Sequence, residues 1–233
     1  MLQQLRHGAS IALLVHALST SIACFEIEIE GTAGWAANLP TWRRKSVLCG
    51  SRPLTGYHIA LAVTLILSVS AGSTISAVLY GGSRLWVLLI LSLATFCFTM
   101  LFEDMYWFLL NYRFREALDT GGASHHFETW SEQLTLYAIC TAAGSTLWML
   151  GYGSAFGWTD AAAALGFFYA ASVVLFLVLV AWVRPLYAAT DSYLRGPRGR
   201  EVSQSDVHAA LLLLFALIMC ATWAFAFYIW TWQ

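Results

Sequence analysis

Charge is what this sequence has least of: Asp, Glu, Lys and Arg make up 11% of its 233 residues, against roughly a quarter in soluble domains. Apolar types reach 59%, which excludes a disordered scaffold and a water-soluble globular enzyme. The formal net charge of -1 leaves no basic face for nucleic acid. Lysine occurs once, at Lys45, outside every long apolar run, so a retinal-type Schiff base inside a bundle is excluded. The five cysteines, Cys24, Cys49, Cys97, Cys140 and Cys220, form no C-x-x-C pair and are odd in number. Neither a disulfide framework nor a thiolate metal site follows, and these residues read as small packing side chains. Gly-rich phosphate loops, G-x-S-x-G elbows and H-E-x-x-H are missing too, and six histidines cannot fill the boxes of a membrane di-iron hydroxylase.

What is present is a series of runs near 20 apolar residues, the length that crosses about 30 Å of hydrocarbon. Six are expected, at 8–25, 56–80, 85–110, 134–156, 161–183 and 209–232. The fold class is therefore all-α, a polytopic membrane protein with one six-helix transmembrane domain over 1–233. Three long connections, 26–55, 111–133 and 184–208, carry the charge. Arg43, Arg44, Lys45 and Arg52 lie in the first, Arg113 and Arg115 in the second, and Arg184, Arg195, Arg198 and Arg200 in the third. Only Arg6 and Arg84 fall on the opposite side, so the positive-inside rule places the long connections in the cytoplasm and both termini outside. The same distribution opposes a cleaved signal at 1–23, whose loss would put the basic connections outside.

Tryptophans mark the boundaries. Trp86 and Trp107 read as the two aromatic anchors of the third span, and Trp158, Trp182, Trp230 and Trp232 lie near other span ends. Small residues from Ser68 to Ser76 and from Thr141 to Thr146 read as close helix contacts.

The chemistry concentrates in Phe102-Glu103-Asp104-Met105-Tyr106-Trp107-Phe108-Leu109-Leu110-Asn111. Helical spacing puts Glu103, Trp107 and Asn111 on one face, with Asp104 on its flank. Two adjacent acids in an apolar span are costly, and such a pair would keep a proton between them, the condition for a general acid at neutral pH. His16, midway along the first span with Ser19 and Thr20 on its side, is a second polar candidate. Its depth nearer mid-membrane would require a shift of several residues to reach Glu103. Glu26, Glu28 and Glu30 would line one side of a short extended piece, followed by a Trp-Arg anchor at lipid headgroups. His58, His125 and His126 with Glu26 or Glu30 are the weak metal candidates, because nitrogen and oxygen ligands would meet on the inner face. A bis-histidine haem is disfavoured, since His16 and His58 fall at different expected depths.

These residues carry two resemblances. Glu30-Gly31, Gly34-Trp35-Ala36, Leu39-Pro40-Thr41-Trp42-Arg43, Thr55-Gly56-Tyr57-His58 and Phe102-Glu103-Asp104 with Trp107-Phe108 and Asn111 resemble a group of uncharacterised multi-span membrane proteins of bacteria and archaea, over roughly residues 25 to 130. That likeness implies a membrane fold in a prokaryotic plasma membrane and no known activity. Where those relatives carry a further histidine late in the second span and Trp-Trp-His after it, this chain is Ser-rich and then reads Ser124-His125-His126-Phe127. The acid pair with Trp107-Phe108 is also similar to the lycopene-cyclase-type membrane domain over about ten residues, without the usual proline before the acids. That likeness implies a protonated carboxyl that starts a carbocation stabilised by aromatic faces, with no redox cofactor.

The expected function is thus to bind, or act by acid chemistry on, a lipophilic lipid or isoprenoid substrate. Glu103 and Asp104 would be catalytic, and Trp107, Asn111, His16 and His58 substrate-binding. No cofactor is strongly implied. The partners expected are membrane lipid, a lipophilic small molecule and other membrane proteins, with no nucleic acid. Two other classes fit the same residues: a transporter or channel using the acids as a proton or ion site, and a non-catalytic subunit of a larger membrane complex.

Overall fold

The computed structural model describes residues 2–30, 43–45, 53–55, 62, 66, 85–111 and 130–195. Four helices dominate them: α1 (Leu2–Glu30), α2 (Leu85–Leu110), α3 (Trp130–Phe156) and α4 (Trp158–Arg195). Within them Leu2–Cys24, Leu89–Leu110, Leu134–Phe156 and Trp158–Trp182 are long and apolar enough to cross a membrane. These stretches correspond to the first, third, fourth and fifth expected spans. The second and sixth, 56–80 and 209–232, lie outside the described residues apart from two helical positions at 62 and 66.

Three features depart from the sequence reading. The helix of α1 continues through Glu26, Glu28 and Glu30, so these acids belong to a helical turn and not to an extended piece. Likewise α4 runs on from Arg184 through Pro185 to Arg195. Hydropathy finds where a helix is apolar, whereas Glu, Ala, Leu and Arg prolong it past that point because they lose little rotamer freedom in a helix. Within the expected connection 26–55, β1 (Arg43–Lys45) pairs antiparallel with β2 (Pro53–Thr55), Arg44 opposite Leu54. A three-residue ladder is too short to show a period in sequence.

The helices form a ring in which α1 packs on α2 and α4, and α3 closes it against the same two. Gln4 reaches Asp160, and Gly8 backs onto Ala164 and Phe168, so α1 and α4 run the same way. Between α2 and α3 the neighbours are Leu91 with Gly151, Phe98 with Gly144 and Asp104 with Tyr137, an antiparallel pair. His7 meets Tyr152 at the end of α3 that Leu91 also faces, so α1 and α2 share a direction.

Apolar surface is distributed inside out. The most apolar stretch, in α4, is among the least buried, and Val173, Val174, Leu177, Val178 and Leu186 point outward. The interior holds aromatics and polar groups beside smaller apolar side chains. Trp148 is fully buried, stacks on Tyr152 at 5.7 Å between centroids, and donates its indole hydrogen to the Ala161 carbonyl. A Cβ on Gly8 would sit 2.4 Å from the Ala164 carbonyl oxygen, so only glycine allows the backbones of α1 and α4 to approach this closely. Gly144 does the same for the Phe98 ring. The link between α3 and α4 is the single residue Gly157, whose φ of 101° lies in the region that favours glycine. Its N–H bonds back to Gly153 and its carbonyl accepts from Ala161, ending one helix and starting the next.

Candidate functional site

The acid doublet faces the interior. Glu103 and Asp104 are 5% and 4% exposed, and Trp107 and Asn111, one and two turns further along α2, are 2% and 1% exposed. The face expected from i, i+4, i+8 spacing is therefore an inward one. Burial of Trp107 overturns its reading as an interfacial anchor: its ring lies edge-on to Phe108 within the core. Trp86, Trp158 and Trp182 remain outward, as boundary residues would. Composition cannot separate the two kinds of tryptophan, because both lie near the ends of apolar runs.

Tyr137 of α3 donates its hydroxyl hydrogen to Asp104 Oδ2 at 2.6 Å. This side of the doublet was not legible in sequence, since the two residues meet only through the antiparallel pairing of α2 with α3. Phe98, Phe102, Tyr106 and Leu110, all on α2 itself, belong to the same buried apolar cluster as Trp107.

His16 is not separated from this region by depth, as the sequence had implied. Its ring packs on Phe102 with centroids 4.1 Å apart, and its Nδ1 lies 2.5 Å from the Tyr106 hydroxyl. Phe102 and Tyr106 flank the acids, and Tyr106 stands three positions after Glu103, a neighbour on the helix surface. The apparent mismatch came from the expected start of the first span, which the helix actually precedes by several residues. Ser19 and Thr20 are occupied elsewhere: Ser19 donates to the Thr99 carbonyl and Thr20 to the carbonyl of His16 itself.

The opposite end of the ring holds a polar group that sequence reasoning missed. His7 pairs with the Tyr152 hydroxyl and lies edge-on to Tyr152 and Phe156. Beside it Gln4 donates to Asp160 at 2.7 Å. The polar residues before the first apolar run were the available signal.

His58, His125 and His126 lie outside the described residues, and Glu26 and Glu30 are placed only as helical backbone. Among the described residues no three His, Cys, Asp or Glu side chains converge on a metal position. No protein-family model, curated protein or solved structure matches this chain.

Proposed function

We propose that the chain is a six-span protein of a prokaryotic plasma membrane, with both termini on the non-cytoplasmic side. It holds a lipophilic substrate, a lipid or isoprenoid, beside the acid doublet and acts on it by acid chemistry. Glu103 is the proton donor, Asp104 its partner, and Trp107, Asn111 and His16 shape the site, with His58 from the second span as a further contact. The parallel course of α1 and α2 supports the topology, because two segments that run the same way leave an odd number of crossings between them.

The observation that carries the reading is the burial of two neighbouring carboxyl groups on a helix whose adjacent aromatic residues Phe102, Tyr106 and Trp107 are buried as well. A charged acid is costly inside a membrane, which makes an acid placed there a functional candidate, and in a dry site it donates a proton where water would otherwise compete. Asp104 accepts a hydrogen from Tyr137, which suits it to the partner role beside Glu103 as donor. The aromatic faces nearby suit a cationic intermediate, and the likeness to lycopene-cyclase-type domains points to the same chemistry.

A proton or ion pathway is the second reading. Gln4, His7, Ser10 and His16 in α1 and Ser92, Thr95 and Thr99 in α2 are all buried. It ranks second because Thr95 and Thr99 spend their hydroxyls on carbonyls of their own helix, at Leu91 and Thr95, which interrupts any line of free donors.

The test compares wild type and Glu103→Gln, purified in mild detergent, by mass spectrometry of the bound lipid. A specific isoprenoid or lipid that is lost, or accumulates unconverted, in the variant supports the proposal, and an unchanged lipid set overturns it. Ion flux in liposomes that Glu103→Gln abolishes would establish the pathway reading instead. An empty protein that co-purifies with fixed partners would make the chain a subunit of a larger complex.

A further inference from the structure

His16 is 1% exposed and uses one of its two ring nitrogens. Nδ1 is engaged by the Tyr106 hydroxyl, while Nε2 is buried with no hydrogen-bond partner among the described residues. Tyr106 is itself completely buried, against Phe176 on α4.

The hydrogen between the two residues has two possible owners. If the imidazole donated from Nδ1, the Tyr106 hydroxyl hydrogen and the Nε2 lone pair would both be buried and idle. If the Tyr106 hydroxyl donates to Nδ1, the only idle group is one hydrogen, on Nε2. Because each buried polar group without a partner is costly, the second arrangement wins. Tyr106 therefore sets the tautomer, and His16 offers a single directional donor. A buried donor with no protein acceptor calls for an explanation, and a bound molecule supplies one.

We propose that His16 Nε2–H binds an oxygen acceptor on the lipophilic substrate, a carbonyl, ester or hydroxyl oxygen, with Tyr106 as the positioning residue. The inference rests on the reading of the Glu103 region as a ligand site and narrows its substrate from any apolar lipid to an oxygenated one. A purely hydrocarbon substrate would leave the donor stranded. An oxygenated one is selected because the site rejects analogues that lack the acceptor, as polar sites in dry surroundings do.

The experiment uses the full-length protein labelled with 15N-histidine in lipid nanodiscs. It is titrated with a long-chain methyl ketone and, separately, with the alkane of the same carbon skeleton. Without addition, the His16 resonances should show the proton on Nε2, and Tyr106→Phe should mix the two tautomers. The ketone should shift the Nε2–H resonance and the alkane should leave it unmoved. His16→Gln, whose amide hydrogen replaces the Nε2 donor, should retain ketone binding, whereas His16→Met should weaken it about tenfold. A proton found on Nδ1 in the wild type overturns the proposal, as does an Nε2–H that responds to neither probe or equally to both. The Glu103 reading fails by a different result, an unchanged lipid set in Glu103→Gln, so the two failures are distinguishable.

Discussion

Two histidine–tyrosine pairs tie this bundle together, and they differ in what surrounds them. His7 and Tyr152 meet where the first turns of α1 reach the last turns of α3, packed against Trp148 and Phe156 with the Gln4–Asp160 bond alongside. His16 and Tyr106 meet halfway along α1, on the side of α2 that carries Glu103. The first pair joins helix ends, and the second borders two buried acids. The same two side chains thus join helix ends in one place and lie beside the candidate acidic site in the other.

The strongest way to break the comparison is at Gly8, one residue from His7. Gly8→Leu should cost about 3 kcal/mol or more, because the added carbon meets the backbone of α4, which cannot move aside. Loss of a monodisperse peak in detergent would show it, and tolerance of leucine would mean that the α1–α4 contact is looser than described. Exchanging the histidines sharpens the contrast. His7→Phe and His16→Phe should each lower stability by about 1–3 kcal/mol in thermal unfolding, but only His16→Phe should change the bound lipid measured by mass spectrometry. Equal effects on lipid would remove the distinction between the pairs. Tyr137→Phe should cost about 1 kcal/mol and reduce whatever signal depends on Glu103, since Asp104 loses its donor. Smallest is Gly166→Ala, where nothing lies within 4 Å. Its effect on the unfolding midpoint should stay within about 1 kcal/mol.

Hydropathy located the four described spans within a few residues, because lipid demands length and apolarity before anything else. It placed Glu103, Trp107 and Asn111 on one face for a similarly local reason, the 3.6-residue period. What it missed was partnership across helices. Tyr106 and Tyr137 look like two more aromatics in greasy stretches, and only folding brings them to His16 and Asp104, 90 and 33 positions away. Burial of Trp107 was equally hidden, since in a membrane chain apolarity marks residues that face lipid as readily as residues that face the core. The polar start of α1 looked like a flank for an apolar run, yet Gln4 and His7 are among its interior side chains.

The one-residue link at Gly157 has a consequence for how the chain is made. With no slack between them, α3 and α4 cannot be threaded one at a time into a finished arrangement. We expect them to enter a membrane as a paired unit, with Trp130 and Arg195 on a common side.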